Sequence, residues 1–288
     1  MVPSALMSLR RAPLASLVAA LVVALGLVAG ACSSDAQPTA EPVTTTVAES
    51  TTTTADPHVV TVAAAVGGEL EVVAEPPEGV EPTTSTSTTV LDRALPPIPR
   101  PDLNSAGARK TDAGWAFENP TYFGNPLVVV VTEDAGEWLR VMIPARPNQL
   151  EGWVRAADVE TSTHSYRMEL SLSDFTLKVY DGDEVIEETQ VVIGKDATYT
   201  PTGRFYLNEK IEQSNPGGVY GPWVLSTNAY SESLDTFDGG LPVVAFHGTN
   251  QPELIGTQAS NGCIRMPNDV VTRLAETLPA GTPVDILA

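Results

Sequence analysis

Residues 243–266 read VVAFHGTNQPELIGTQASNGCIRM and bring a histidine and a cysteine close together in the chain. The apolar run Val243-Val244-Ala245-Phe246 is typical of a buried strand, and His247 stands at its end. Asn261-Gly262 is a strong turn signal directly before Cys263. The pattern therefore predicts a strand and a tight turn that present His247 and Cys263 to one site.

This pair of side chains suits nucleophilic catalysis. A thiol is mostly protonated at neutral pH, and an imidazole within hydrogen-bond reach converts it to the reactive thiolate. Glycine before Cys263 lets backbone N–H groups approach a developing oxyanion. Each residue alone also has a simpler explanation: His247 as a core histidine, Asn261-Gly262 as a hairpin turn, and Arg265 as a solvated charge. The combination favours the catalytic interpretation.

The N-terminus resembles an export signal. Arg10 and Arg11 precede a nearly continuous apolar run, Ala12–Ala31, which closes on small residues directly before Cys32. This ending resembles a bacterial lipoprotein box, in which Cys32 is lipidated, although Ala29 stands where that box usually has leucine. An uncleaved membrane anchor and simple cleavage are the alternatives. All three place the rest of the chain outside the cytoplasm, at the outer face of the cytoplasmic membrane if it is tethered.

The cysteine count points the same way. The chain contains 2 cysteines, Cys32 and Cys263. If Cys32 carries a lipid, Cys263 is alone in an oxidising compartment, where structural cysteines normally occur in pairs. A buried, inert cysteine is the alternative, but the neighbours of Cys263 favour a nucleophile.

Composition changes twice along the chain after the signal segment, residues 1–32. Residues 33–108 are rich in Thr and Pro and are predicted to be a disordered linker, although Val59–Val73 is apolar enough to form a strand. Residues 109–160 contain short alternating strands and a Gly-Trp-Val run, and they resemble a bacterial SH3-like barrel. We interpret this segment as positioning the domain that follows rather than binding wall peptide.

Residues 165–288 predict a mainly β domain with one or two helices. A hairpin is expected around Asp181-Gly182-Asp183, and a helix capped by Asn268 is expected from Asp269 to Leu278. The stretch from Asn215 to Gly240 reads as a long loop that covers a site.

Charge and histidine spacing exclude two kinds of partner. The net charge of −20 and the absence of a basic stripe argue against nucleic acid. The 3 histidines, His58, His164 and His247, are scattered without metal-ligand spacing, so no metal or other cofactor is expected.

Residues 165–288 resemble the L,D-transpeptidase catalytic domain of the YkuD type. The resemblance is carried by His247-Gly248-Thr249 and, after a short interval, by Ser260-Asn261-Gly262-Cys263-Ile264-Arg265-Met266. The family usually has a histidine at the position of Asn261, and asparagine cannot titrate.

The resemblance implies a role in cell-wall biogenesis and cell shape. Cys263 would attack the carbonyl before D-Ala in a peptidoglycan stem tetrapeptide, and a second stem would resolve the thioester into a 3→3 cross-link. His247 would be the base, oriented by a carbonyl near Gly248. The N–H groups of Gly262 and Cys263 would hold the oxyanion. The implied substrate-binding residues are Ser260, Asn261, Arg265, Tyr220 and Trp223; Arg265 and the two aromatic residues have purely structural explanations as well.

Other functions remain open at this point. Water as the acceptor would make the protein an L,D-carboxypeptidase, and Asn261 leaves room for an inert wall-binding lipoprotein. A papain-type protease lacks support, because its sequence pattern around the cysteine is absent. The oligomeric state is not indicated by the sequence.

Overall fold

The computed structural model describes residues 57–81 and 108–288, in which two eight-stranded β-sheets follow one another along the chain. The prediction of a mainly β fold is confirmed. The described residues contain one α-helix, α1 (Asn268–Thr277), and three short 3-10 turns, at Ala156–Asp158, Asp196–Thr198 and Pro252–Leu254.

The N-terminal sheet is antiparallel throughout. Its strands are β1 (Val60–Ala65), β2 (Glu69–Val73), β3 (Ala108–Lys110), β4 (Gly114–Glu118), β5 (Val128–Asp134), β6 (Trp138–Met142), β7 (Glu151–Arg155) and β8 (Val159–His164). They lie in the order β3-β4-β2-β7-β6-β5-β1-β8. The likeness of residues 109–160 to an SH3-like barrel stays a prediction.

The first two strands correct the linker predicted for residues 33–108. Strand β1 pairs with β5 and β8, and β2 pairs with β4 and β7, so both lie inside the N-terminal sheet. The alternating apolar side chains of Leu70 and Val72 are buried in the core, which explains why this segment folds. Residues 33–56 and 82–107 of the predicted linker lie outside the described residues, as does the signal segment with Cys32.

The C-terminal sheet combines antiparallel and parallel pairs. Its strands are β9 (Tyr166–Ser171), β10 (Thr176–Asp181), β11 (Glu184–Gln190), β13 (Gly203–Glu212), β14 (Trp223–Tyr230), β15 (Val243–His247), β17 (Ile264–Arg265) and β18 (Pro283–Leu287). Two short strands, β12 (Ile193–Gly194) and β16 (Gln258–Ser260), form a separate parallel pair. The sheet order is β11-β10-β9-β18-β13-β14-β15-β17, with β18–β9 and β15–β17 parallel.

Helix α1 packs on β14 and β15. Val270, Val271, Leu274 and Ala275 form its buried face and join the core of the C-terminal sheet, where Phe246 is fully buried. Burial of each large apolar side chain contributes about 1.5–3 kcal/mol. This packing fixes the strand that carries His247.

Asn268 does not cap the helix as the sequence predicted. Pro267 occupies the N-cap position, and no side chain there accepts a hydrogen bond from the first turn. Asp269 in that turn forms an i,i+4 ion pair with Arg273, with 2.9 Å between the Oδ2 and Nη1 atoms. At the other end, the Lys210 ammonium donates to the carbonyls of Ala275 and Leu278 at 2.9 and 3.0 Å, which satisfies orphan acceptors.

An apolar cluster joins the two sheets. Val62, Val130 and Met142 of the N-terminal sheet pack against Tyr206 of β13, whose side chain is fully buried. The N-terminal sheet therefore rests directly on the C-terminal sheet.

Candidate active site

A cleft of about 270 Å³ opens on the C-terminal sheet beside β15. Its lining residues come from the segment before β14, the segment between β14 and β15, strand β15 itself, and the region around Cys263. They are Val219, Tyr220, Ser231, Leu234, Phe237, Asp238, Pro242, Val243, Val244, His247, Ser260, Asn261, Cys263 and Arg265. The histidine and the cysteine singled out from the sequence thus share one cleft.

Parallel pairing of β15 and β17 brings them together. Phe246 lies opposite Ile264 and His247 lies opposite Arg265 in this pair, and the Met266 N–H donates to the His247 carbonyl at 2.9 Å. Because Phe246 and Ile264 are fully buried, the register is fixed by the core. Cys263 directly precedes β17.

His247 is held in a defined tautomer. Only 3% of the residue is exposed, and its Nδ1 atom lies 2.6 Å from the Gly248 carbonyl oxygen. A carbonyl can only accept, so Nδ1 carries the proton and the neutral ring keeps an unprotonated Nε2. Burial lowers the pKa of His247 to about 4, the hydrogen bond to Gly248 acts against this shift, and the Arg265 charge adds to it. The ring is therefore neutral at pH 7.

The thiol of Cys263 is also neutral at rest. The residue is half-buried, and its Sγ lies 3.8 Å from the Val243 carbonyl oxygen. Burial raises the pKa of Cys263, while a hydrogen bond with the Ala245 backbone and the charge of Arg265 lower it. The resting pair is thus a thiol and an imidazole, and a thiolate forms only when the proton moves.

The turn before Cys263 is stabilised by hydrogen bonds from Ser260, within the turn, and from Thr200, which packs against it. The Ser260 hydroxyl donates to the Cys263 carbonyl at 2.6 Å and accepts the Gly262 N–H at 3.1 Å. Thr200, fully enclosed, donates to the Gly262 carbonyl at 2.9 Å. Gly262 has a φ of +114°, which only glycine adopts without strain.

These hydrogen bonds bear on two predicted roles, which stay predictions. Ser260 is 1% exposed, and its hydroxyl holds the backbone of the turn. The Gly262 N–H, predicted to hold the oxyanion, is bonded to Ser260. The contribution of Thr200 could not be predicted from the sequence, because Thr200 lies far from Gly262 in the chain.

Gly248 is required by close packing. A Cβ at this position would lie 2.2 Å from the Asn268 Oδ1 atom and 2.9 Å from the Gly221 Cα. The same Asn268 oxygen accepts the Thr249 N–H at 2.7 Å. Asn268 therefore holds the His247-Gly248-Thr249 segment in place. The sequence did not predict this role, because Asn268 was interpreted as a helix cap.

Arg265 lies in the wall of the cleft. Its Nη1 atom is 3.4 Å from the Gln251 Oε1 atom, and within residues 57–81 and 108–288 no carboxylate forms an ion pair with it. A structural role for Arg265 through an internal salt bridge is thus not found in that part of the chain. Asn261 is exposed at the edge of the cleft.

The two aromatic residues predicted to bind substrate, Tyr220 and Trp223, lie in different surroundings. Tyr220 lines the cleft, and its ring meets that of His247 edge-on with 5.0 Å between centroids. Trp223 packs against the core of the C-terminal sheet and is not among the residues that line the cleft, so its role in substrate binding stays a prediction.

The long loop predicted from Asn215 to Gly240 was wrong in its centre. Strand β14 occupies Trp223–Tyr230 and pairs with β13 and β15. The segments on either side of this strand do line the cleft. Alternation was hidden because almost every residue of β14 is buried, which removes the period-two pattern.

The described residues hold no group of three or more His, Cys, Asp or Glu side chains placed to bind a metal ion. Within the same residues, no helix has the length and apolar character needed to cross a membrane.

Known proteins resemble the C-terminal part of this chain. Residues 165–286 match the family model described as the L,D-transpeptidase catalytic domain, YkuD. The Bacillus licheniformis and Bacillus subtilis proteins that carry the name L,D-transpeptidase YkuD are 40% and 39% identical over 124 residues, which cover 43% of this chain and 67% of each relative. The catalytic domain of the Enterococcus faecium L,D-transpeptidase is 26% identical, with a TM-score of 0.33, over 43% of this chain and 98% of that domain. The chain belongs to the YkuD family of L,D-transpeptidase catalytic domains.

Proposed function

We propose that this protein is a cysteine acyltransferase that forms 3→3 cross-links between peptidoglycan stem peptides. The observation that carries the proposal is a neutral imidazole, fixed by the Gly248 carbonyl, in the same cleft as the Cys263 thiol. A neutral base beside a neutral thiol is the starting state for proton transfer coupled to attack on a carbonyl.

In the acylation step, the His247 Nε2 atom accepts the thiol proton as the Cys263 sulfur attacks the carbonyl between residue three and D-Ala four. The Cys263 N–H, which is not engaged by another group in the described residues, stabilises the oxyanion. The C–N bond then breaks, the proton moves from His247 to the departing amine, and D-Ala leaves. Cys263 is left as a thioester.

In the second step, the side-chain amine of another stem attacks the thioester. His247 removes the amine proton and returns a proton to the sulfur, which restores the resting pair and completes the cross-link. Arg265 binds a substrate carboxylate, a role supported by its place in the cleft wall without an ion-pair partner in the described residues. Tyr220 covers the imidazole and limits water access to it.

The N-terminal segment places this chemistry at the cell envelope. Lipidation of Cys32, or retention of the apolar run before it, would tether the chain to the outer face of the cytoplasmic membrane. From that position the catalytic domain would have access to the stem peptides of the cell wall.

Product analysis tests the proposal. The full chain is incubated with a disaccharide-tetrapeptide, and the products are separated by mass spectrometry, with Cys263→Ala as the control. Cross-linked dimer and free D-Ala are expected only with the native cysteine. Clipped monomer without dimer identifies an L,D-carboxypeptidase, and no turnover together with no carbapenem adduct on Cys263 identifies an inert wall-binding protein.

A further inference from the structure

Residues 231–242, between β14 and β15, form a hairpin-like loop. We call this segment the cleft loop. The Ser231 N–H donates to the Pro242 carbonyl at 2.8 Å at its base. Phe237 and Gly240 exchange two backbone hydrogen bonds of 2.9 and 3.0 Å at its tip. The loop supplies Ser231, Leu234, Phe237, Asp238 and Pro242 to the cleft wall, so its position decides the shape of the cleft.

An arginine from the N-terminal sheet is bonded to this loop. Arg146 lies in the connection between β6 and β7 and is 6% exposed. Its Nη2 atom donates to the carbonyls of Leu234 and Asp235 at 3.2 and 3.3 Å. Its guanidinium also lies 5.6 Å from the centre of the Tyr230 ring, directly before the loop.

An asparagine from the same connection pairs with the base of the loop. Asn148 is 5% exposed, and its side-chain amide acts as a strand partner for Tyr230. It accepts the Tyr230 N–H at 2.8 Å and donates to the Tyr230 carbonyl at 2.9 Å. The Tyr230 hydroxyl in turn donates to the Pro144 carbonyl at 2.8 Å.

The apolar cluster around Tyr206 also joins the two sheets. The contacts of Arg146 and Asn148 differ from it in being polar and in reaching the cleft loop. Burying a guanidinium or an amide costs free energy unless hydrogen bonds compensate. The hydrogen bonds that offset the burial of Arg146 and Asn148 run to backbone groups of residues 230–235, which lie beside the cleft.

We propose that Arg146 and Asn148 position the cleft loop, so that the N-terminal sheet supports one wall of the cleft that contains Cys263. The identity of the donor rests on the proposed function, but the positioning of the loop does not. Because small displacements of a binding wall strongly affect substrate alignment, loss of either side chain weakens donor binding. Cys263 and His247 are fastened within the C-terminal sheet and keep their geometry.

The test compares Arg146→Ala and Asn148→Ala in the full chain with Arg140→Ala. Arg140 lies on β6 and pairs with Glu151 at 2.8 Å, so its loss removes the same charge without touching the cleft loop. Three quantities are measured: hydrogen exchange of amides in residues 231–242, KM and kcat for the tetrapeptide donor, and the rate of Cys263 alkylation by iodoacetamide.

Both positioning variants are expected to exchange the loop amides about tenfold faster and to raise KM about tenfold, with kcat changed less than about threefold. Alkylation of Cys263 is expected to stay within about twofold, and Arg140→Ala is expected to match the native chain. Arg146→Lys, which retains one donor group, is expected to recover part of the KM loss.

Unchanged loop exchange and unchanged KM in folded variants would overturn the inference, as would equal changes in Arg140→Ala. If Arg146→Ala does not fold, Asn148→Ala decides by the same quantities because it removes no charge. If the native chain does not turn over the donor, the proposed function fails by itself, and loop exchange alone then decides whether the positioning claim stands.

Discussion

The Nδ1 atom of His247 lies 2.6 Å from the carbonyl oxygen of Gly248, the next residue in the chain. This contact fixes the tautomer, since the carbonyl needs a donor and Nδ1 must supply it. The unprotonated Nε2 is then the ring's only proton acceptor. The base of the proposed reaction is set by one backbone group and is ready without prior deprotonation.

The first prediction concerns the acid limb of the pH–rate profile. Burial lowers the pKa of His247 to about 4, so the ring stays neutral well below the usual titration range of histidine. We expect kcat/KM for the donor to fall only as the pH approaches about 4. This quantity reports the free enzyme and is measured from pH 3.5 to 9. A midpoint near 6.5, the ordinary histidine value, would contradict the neutral, buried base.

The second prediction concerns the thiol. Burial raises the pKa of Cys263 above its usual value, so little thiolate exists at pH 7. Iodoacetamide reacts with the thiolate, and we expect its rate to climb with pH beyond about 8.5, the ordinary thiol value. The measurement is loss of free Cys263 by intact-protein mass spectrometry. A rate that is already maximal at pH 6 would indicate a resting thiolate–imidazolium pair and would contradict this account.

A third prediction links His247 to stability. Its folded pKa lies below the unfolded value of about 6.5, so the unfolded chain binds the extra proton more readily. The contribution of His247 to the free energy of unfolding is therefore fully present above about pH 6.5. It is lost as the pH falls toward 4, by roughly 3 kcal/mol. His247→Asn cannot titrate and is expected to lack this component of the loss. Urea unfolding of both proteins at pH 7 and pH 4.5 measures the difference, and equal pH dependence would count against the shift.

The fourth prediction concerns Asn268, which accepts the Thr249 N–H and packs on Gly248. Asn268→Ala leaves that N–H without its partner and is expected to cost about 1–3 kcal/mol in the free energy of unfolding. We also expect kcat to fall at least about tenfold, because the carbonyl that orients His247 loses its support. Asn268→Asp keeps an oxygen acceptor and is expected to restore most of both losses.

The control for this prediction is Thr272→Val on the same helix. The Thr272 hydroxyl donates to the Asn268 carbonyl, and no hydrogen bond in the described residues joins its side chain to the His247 segment. It is expected to leave kcat unchanged. Native kcat in a folded Asn268→Ala would show that the segment is held by other contacts.

The sequence predicted most of the fold because its strands carry visible periodicity or clear boundaries. The hairpin at Asp181-Gly182-Asp183 forms as expected between β10 and β11, and the strand before His247 ends where it was placed. Strands β1 and β2 were assigned to a linker because Thr- and Pro-rich sequence surrounds them, and their partners lie far along the chain. A fragment that begins near Arg109 would therefore lack two strands of the N-terminal sheet.

The candidate site was predictable only where its parts are local in sequence. His247 and Cys263 stand in recognisable motifs, and one cleft contains both. Thr200, Asn268 and Arg146 act through hydrogen bonds to backbone groups of distant segments. Such contacts depend on tertiary proximity, which leaves no periodic or compositional trace in a single sequence.

The most direct test of the central claim is detection of the acyl-enzyme. The full chain is mixed with a stem tetrapeptide and quenched in acid, and the mass added to the protein is mapped to a residue. We predict a tripeptide acyl group on Cys263, absent from Cys263→Ala and strongly reduced in His247→Gln. D-Ala release by Cys263→Ala at the native rate, or an acyl group on another residue, would contradict the claim.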